Sequence, residues 1–226
     1  FLITMLVCGT LAGSPVWGGR MAEPSASIEN MAYPLPNKPS FAVLPFNNTS
    51  GEAEPKYICD GFTNSLFDVL SDTTSVFVIH PMSTSKYAGK PYTTKQVAEE
   101  LGVQFIVEGD FKKTGDQIQI DVQMMDALKG TTVWSQSYDH RMIDILKIQD
   151  DITLNLVKSA GAKHDDLMVE GRTVEGTNNA EAYIKNLHAF DYTLMGTPEG
   201  HYKAKELCQQ AIALDSNYLK PYINLV

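Results

Sequence analysis

The sequence has few of the residues that build disulfide frameworks, metal sites or nucleic-acid surfaces. Only three of its 226 residues are cysteines, and they lie far apart, at Cys8, Cys59 and Cys208. This spacing is typical neither of a disulfide framework nor of a metal site, so we predict that the cysteines are packing residues. The alternative is one long-range disulfide, if the chain lies in an oxidising compartment. The formal net charge is -9, and no basic run is longer than the pair at 112–113. Such a surface repels phosphate backbones, and we do not expect nucleic acid as a partner.

Catalytic and cofactor motifs are also missing. The histidines lack the i, i+4 or short-loop spacing of a zinc site and stand at positions 80, 140, 164, 188 and 201. Gly89 and Lys90 lack the earlier glycine and the following Ser or Thr of a phosphate-binding loop. Glu108, Asp110 and Asp121 fall on one face of predicted strands, and we interpret this conceivable acid/base cluster as the solvated side of a sheet. We therefore predict no catalytic residues, no metal and no cofactor.

The start of the chain is apolar and is followed by a proline-rich stretch. Residues 1–17 are mostly apolar, and no charged residue precedes Arg20. A membrane-spanning helix needs about 20 apolar residues, so residues 1–20 are predicted to be a membrane segment or a secretory signal, with a packed or disordered apolar end as the alternative. Residues 21–40 are predicted to be an extended linker. Because the chain begins with Phe1 rather than Met and ends inside a predicted helix, we expect a piece of a longer protein.

Residues 41–162 carry the pattern of an α/β domain. Continuous apolar runs at 41–46 and 75–79 predict two strands buried on both faces. Between them, helical spacing predicts an amphipathic helix whose apolar stripe is Ile58, Phe62, Leu66 and Val69 or Leu70.

The central stretch of this domain lies at 97–113, where a helix ends at Gly102 and a long alternating strand begins. Two further segments of alternating residues predict an antiparallel meander. In the first segment the inward residues are Ile118, Ile120, Val122 and Met124. In the second segment the residues on one side are Thr132, Trp134, Gln136 and Tyr138. An amphipathic helix with Ile145, Ile148, Ile152 and Leu156 follows. We predict an α/β (α+β) fold with a mixed sheet of about five strands, an antiparallel meander and flanking helices.

A glycine in the helix that follows the first strand has two interpretations. Gly61 lies inside a predicted helix, where glycine costs about 1 kcal/mol relative to alanine, so it should allow close packing or leave backbone groups free. Close packing is our main interpretation. The alternative is a ligand pocket, because open α/β sheets bind ligands at the carboxyl edge; its residues would be Asn47, Asn48, Asp60 and Thr63.

After a polar linker at 163–179, residues 180–226 are predicted to begin a helical array. Small and apolar residues recur at spacings that let helices approach closely, and the predicted packing residues are Ala204, Cys208, Ala211, Leu214, Tyr222 and Leu225. The pattern resembles a tetratricopeptide repeat, with Ser216 in place of the usual proline. This resemblance implies a protein or peptide partner.

Six short segments follow one another in a recognisable order, at 35–51, 60–63, 87–90, 96–103, 107–109 and 123–127. They resemble a module of bacterial adenylate/guanylate cyclase-type and winged-helix transmembrane regulators, where it lies between a membrane helix and tetratricopeptide repeats. The fold of that module is similar to the amino-terminal α/β domain of the Tol-Pal protein TolB.

The resemblances imply a non-catalytic sensor, scaffold and protein-interaction region of a membrane-anchored bacterial signalling protein, with its soluble part in the periplasm. Two alternatives stay open: the regulatory part of an adenylate/guanylate cyclase whose catalytic domain lies upstream, and an envelope assembly factor of the TolB type. The expected partners are a protein or peptide at the repeats and the membrane at the amino-terminal segment. The sequence leaves the oligomeric state open.

Overall fold

The computed structural model describes residues 24–51, 56–163 and 176–225. Within them, one six-stranded mixed sheet has the order β3-β1-β4-β5-β6, with β2 beside β4. The strands are β1 (Ser40–Val43), β2 (Asn47–Asn48), β3 (Phe77–Val78), β4 (Phe105–Thr114), β5 (Gln117–Asp126) and β6 (Thr131–Arg141). The predicted α/β class is confirmed. The sheet has six strands rather than about five, because the two residues of β2 pair in parallel with β4.

Seven helices accompany this sheet in the described part of the chain. They are α1 (Lys56–Ser71), α2 (Pro81–Thr84), α3 (Thr94–Leu101), α4 (Ile145–Ser159), α5 (Ala180–Leu194), α6 (Pro198–Leu214) and α7 (Lys220–Ile223). Thr93 caps α3, because its hydroxyl accepts a hydrogen bond from the Gln96 N–H at 3.1 Å. The same helix ends at Gly102, which adopts the left-handed conformation with φ 66°.

Two helices cover one face of the sheet and a third covers part of the other. The stripe of α1 predicted from Ile58, Phe62, Leu66 and Leu70 is buried against β4, β5 and α4. The predicted stripe of α4 is buried in the same cluster. On the opposite face, Val97, Ala98 and Leu101 of α3 pack against β1 and the first half of β4. Both amphipathic predictions are confirmed.

The antiparallel meander is confirmed, with one change of register. β4 pairs with β5 from Phe105↔Asp126 to Thr114↔Gln117, and β5 pairs with β6. Trp134 lies opposite Met124, but Thr132 lies opposite the next residue, Met125. Val133 is therefore an extra residue, a β-bulge, and the prediction that Thr132 and Trp134 share one side is wrong.

A strand does form within residues 75–79, but the prediction that it is buried on both faces is wrong. Only Phe77 and Val78 form β3, and Phe77 is 40% exposed. The physical reason is position: β3 is at the edge of the sheet, bonded to β1 alone. A continuous apolar run does not distinguish an edge strand from a central one.

Residues 24–39, part of the predicted linker, lie on the surface of the α/β domain. The Ala26 N–H donates to the Ala127 carbonyl at 2.7 Å, and the Ala32 N–H donates to the Glu99 carbonyl at 2.7 Å. The predicted apolar segment at 1–20 and most of the predicted linker at 163–179 lie outside the described residues, so those boundaries stay predictions. In the described ranges, no helix combines the length and apolar character that crossing a membrane requires.

Helices α5 and α6 form a hairpin, and the short helix α7 follows it. Ala204, Cys208 and Ala211 of α6 are buried, where they pack against Ala189, Ala182 and Tyr218. Leu225 is half-buried and packs against the cluster formed by Ala189, Ala204 and Cys208. Leu214, the last residue of α6, is 38% exposed, and Tyr222 is 42% exposed. The Tyr222 hydroxyl donates to the Ser216 carbonyl at 3.2 Å.

Candidate functional site

A groove runs between the α/β domain and the last helices, next to the carboxyl ends of β1 and β3. We call it the α1–α5 groove; it has a volume of about 650 Å³, and its apolar lining is Phe67, Met82, Leu187, Phe190, Leu194 and Ile223. A smaller cavity of about 250 Å³ continues from it and is lined by Tyr57, Asp60, Thr63 and Asp191, among others. The groove thus lies at the edge of a parallel strand pair, where α/β sheets form ligand sites.

The α1–α5 groove exists because two helices touch at one point and then separate. Gly61 of α1 faces Leu187 of α5 so closely that a Cβ on Gly61 would lie 2.8 Å from the Leu187 methyl carbons. Close packing, our main interpretation of this glycine, is confirmed. Deeper in the interface, the Tyr183 hydroxyl donates to Gln149 Oε1 and Gln149 Nε2 donates to Ser65 Oγ, both at 3.1 Å, so α1, α4 and α5 are tied together.

Apolar side chains along the groove are open to solvent. Met82 is 79% exposed, Leu194 69% and Ile223 70%. Leu187, Phe190 and Leu194 follow the i, i+3, i+7 spacing of one helical face, so α5 presents a continuous apolar stripe. Because clustered exposed apolar side chains mark interaction surfaces, this groove is the best candidate site of the described structure.

Among the charged side chains that line the groove and the smaller cavity, one carboxylate has no described ion pair. Lys56 pairs with Asp60 at 3.0 Å, and Lys220 pairs with Asp68 at 3.1 Å. Asp191 lines the smaller cavity and has no ion pair among the described residues. The groove and the smaller cavity together are therefore lined by three carboxylates and two lysines.

An aromatic stack lies beside the smaller cavity, which Tyr57 lines. The rings of Tyr57 and His188 are parallel, with centroids 4.2 Å apart, and His188 in turn lies 4.7 Å from the ring of Tyr192. Burial lowers the pKa of the His188 imidazole below its ordinary value; Asp191 opposes this effect, and Lys185 and Lys203 add to it. The pKa of Tyr57 is raised, first by burial and then by Asp191.

The structure separates the four residues of the predicted pocket. Asp60 and Thr63 line the smaller cavity. The Thr63 hydroxyl also donates to the Cys59 carbonyl at 3.0 Å and accepts from the Phe46 N–H at 3.4 Å. Asn47 donates to Asp110 at 2.9 Å, and Asn48 accepts from the Ser50 N–H at 3.0 Å, both on exposed β2.

The α5 side of the groove was missed from the sequence. The apolar stripe at Leu187, Phe190 and Leu194 was the available signal, but the same pattern is typical of an ordinary core helix. Only the packing of α5 on α1 shows which part of that stripe is left uncovered.

The predicted solvated acidic face is wrong in two of its three residues. Glu108 is 3% exposed and Asp121 6% exposed. Glu108 accepts hydrogen bonds from the Tyr92 hydroxyl at 2.7 Å and from Gln123 Nε2 at 2.5 Å. These neighbours cover the Glu108 carboxylate and satisfy it, so Glu108 belongs to a buried polar network of the sheet.

The described residues contain no group of three His, Cys, Asp or Glu side chains placed to hold a metal ion. His80 instead caps α2, where its Nδ1 accepts a hydrogen bond from the Met82 N–H at 3.2 Å.

Cys59 and Cys208 are free and buried. Burial raises the pKa of the Cys59 thiol to about 12, with Asp60 adding to the effect, so this thiol is a packing group and not a nucleophile.

Comparison with known proteins places this fold in a family. Residues 37–155 match the model of the HilA/YgeH-like transcriptional regulator second domain. The chain belongs to this family. The HilA/YgeH-like match covers the sheet and α1 to α3 and ends within α4, so the groove joins this domain to α5, which lies outside the family match.

One curated relative extends over nearly the whole chain. The protein named "Putative adenylate cyclase 3" of Rhizobium meliloti (strain 1021) is 31% identical over 206 residues, which is 91% of this chain. The chain spans 35% of the length of that relative.

Two solved structures are similar to part of this chain. TolB from Acinetobacter baumannii is 16% identical with a TM-score of 0.41, over 55% of this chain and 29% of TolB. Lipoprotein GNA1162 from Neisseria meningitidis is 18% identical with a TM-score of 0.36, over 45% of this chain and 79% of the lipoprotein.

Proposed function

We propose that this chain is a regulatory, non-catalytic region that binds a protein partner in the α1–α5 groove. The observation that carries the proposal is the row of exposed apolar side chains on α5, α2 and α7, with Leu194, Met82 and Ile223 each more than two-thirds exposed. Leaving such side chains in water costs about 25 cal/mol for each Å² of apolar surface, and a partner that covers them recovers that free energy.

The partner that fits is an amphipathic helix with basic residues beside its apolar face. A volume of about 650 Å³ between helices accommodates a few large side chains, which is how a helix binds in a groove through anchors at i, i+3 or i+4, and i+7. The smaller cavity that continues the groove favours a Lys or Arg beside the apolar face, because Asp191 lines that cavity without a described ion pair and the whole chain has a net charge of -9.

This role fits a membrane-anchored signalling protein. The apolar residues 1–17 would be the anchor, and the HilA/YgeH-like domain would act as sensor or scaffold in the periplasm. The α5–α6 hairpin, with small residues at its contact, would begin a tetratricopeptide-type array whose concave surface extends the groove. An envelope assembly factor of the TolB type is the alternative architecture.

A second candidate function is specific to the longer protein. The Rhizobium relative carries the name of an adenylate cyclase, and the present chain aligns with about a third of it. In this proposal the chain is the regulatory part of a cyclase, and partner binding in the groove alters the activity of a catalytic domain elsewhere in the protein.

The experiment uses fluorescently labelled amphipathic helical peptides, with either a Lys-rich or a Glu-rich polar face, and the full chain. We expect the Lys-rich peptide to bind and Leu194→Glu to abolish its binding, because a carboxylate would then occupy the apolar wall. Ile143→Glu is the matched control, since Ile143 is 64% exposed and lies outside the groove.

Equal binding to the wild type and to Leu194→Glu would contradict the groove, and absence of binding by either peptide would contradict the partner chemistry. The cyclase proposal has a separate readout. In the full-length reading frame, cyclic-nucleotide production should change in Leu194→Glu and stay at the wild-type level in Ile143→Glu.

A further inference from the structure

The two edges of the sheet differ strongly in length. One edge is β3, with two residues, and the other is β6, with eleven. No described strand pairs with the outer side of β6. Proteins commonly protect a long edge with lysine, proline or bulges, because unpaired backbone groups recruit another strand. β6 contains neither lysine nor proline, and its one bulge, at Val133, leaves Trp134–Arg141 as regular strand.

The alternation of hydrogen-bonded residues along β6 determines which of its backbone groups point away from β5. The Met142 N–H donates to the Asp116 carbonyl at 2.8 Å, one step beyond the pair of Gln117 with Arg141. Hydrogen-bonded and non-hydrogen-bonded pairs alternate along an antiparallel ladder, so the even-numbered residues from 134 to 142 bond to β5. The residues that direct their N–H and C=O groups away from the sheet are Ser135, Ser137, Asp139 and Arg141.

The charge pattern of β6 favours a second copy of the same strand in antiparallel orientation. Asp139, His140 and Arg141 lie at its carboxyl end, and residues 131–138 carry no charge. Antiparallel pairing centred near Ser137 places the charged end of one copy beside the neutral end of the other. Parallel pairing in register would set Asp139 against Asp139, which is unfavourable. With one acidic and one basic residue, the strand also has no net charge, although the whole chain carries -9.

We propose that this chain forms a two-fold symmetric dimer through antiparallel pairing of β6 with β6, joining two sheets into one continuous sheet. Isologous pairing of this kind uses the same surface on both copies. It is independent of the α1–α5 groove, whose apolar lining contains no residue of β6.

The test combines the size of the full chain in solution with one pair of variants. Ser137→Pro removes an outward N–H that β5 does not use, and proline is tolerated at such edge positions. Ser137→Ala removes the hydroxyl and keeps the N–H. In sedimentation velocity over a range of concentrations, we expect a dimer for the wild type and for Ser137→Ala. For Ser137→Pro we expect a dimer dissociation constant about 10- to 100-fold higher, because both copies lose a backbone hydrogen bond.

Ser137→Lys provides a second variant that keeps the backbone intact. It places two like charges near the two-fold axis, so dimerisation should weaken at low salt and recover at high salt. Amide exchange gives an independent readout: the Ser135, Ser137 and Asp139 amides should become protected as concentration rises, whereas the Gln136 and Tyr138 amides are protected throughout.

A chain that stays monomeric at all concentrations would overturn the proposal. So would a dimer that Ser137→Pro and Ser137→Lys leave unchanged, since that dimer would use another surface. Protection of the outward amides only after a foreign peptide is added would also overturn it, and would assign the edge to a heterologous strand.

Discussion

The ring of Tyr57 on α1 lies flat on the imidazole of His188 on α5, with the two planes 1° apart. This contact joins the HilA/YgeH-like domain to the helical hairpin beside the smaller cavity, and it contains an imidazole whose pKa is lowered by burial.

The stability of the chain should depend on the protonation of His188. Its pKa in the folded chain is lowered by burial, so the unfolded chain takes up the proton first as the pH falls. The contribution of this group is therefore full above about pH 6.5 and declines as the pH falls toward the lower folded pKa. Thermal unfolding at a series of pH values measures this decline.

His188→Phe keeps an aromatic ring in the stack and removes the titration. We expect its unfolding temperature to fall less steeply than that of the wild type as the pH drops below neutrality. Identical pH dependence in both proteins would show that His188 does not carry the effect.

Gly61 and Leu187 should be energetically coupled. Alanine at position 61 gains about 1 kcal/mol of helix propensity but brings its Cβ to 2.8 Å from the Leu187 methyl carbons. In the Leu187→Ala background that conflict is absent, so Gly61→Ala should stabilise the chain there by about 1 kcal/mol and by clearly less in the wild type. Urea unfolding of the four proteins measures the coupling. Additive effects would mean that α1 and α5 do not touch at this point.

Removing the Gln149 amide should loosen α5 from the domain. Gln149 is fully buried and bonds to both Ser65 and Tyr183. Gln149→Leu should lower the free energy of unfolding by about 1–3 kcal/mol, because buried polar groups lose partners. Tyr183→Phe, which deletes only one hydroxyl, should cost less. Amide exchange should accelerate in α5 more than in β5, and uniform acceleration would argue against a local role.

Cys59 and Cys208 should resist alkylation in the folded chain. Both thiols are buried, and the pKa of Cys59 is raised to about 12 by burial, so almost no thiolate is present near neutral pH. Peptide mapping after iodoacetamide treatment, with and without urea, separates these two sites from Cys8. Modification of Cys59 in native buffer at the rate seen in urea would contradict the packing role.

Local periodicity predicted much of the fold. The α1 stripe ending at Leu70, the strict alternation from Ile118 to Met124 and the stop at Gly102 are short-range patterns that tertiary structure did not override.

Burial across the sheet and the candidate site were harder to predict, because both depend on contacts between distant segments. Phe77 is exposed because β3 is at an edge, and Glu108 is buried because Tyr92, 16 residues earlier in the chain, reaches over it. Leu194 became part of a site only through the placement of α5 on α1. The two predicted pocket residues that line a cavity, Asp60 and Thr63, both lie on α1.

The order of the strands has a consequence for how the chain folds. β4, β5 and β6 are neighbours in sequence as well as in space, joined by connections of two and four residues, so these hairpins can close early. β1 must instead find β3 and β4 across intervening helices, at a greater loop-closure cost. The parallel half of the sheet, on which the groove is built, should therefore be the last part to assemble and the first to open under denaturing stress.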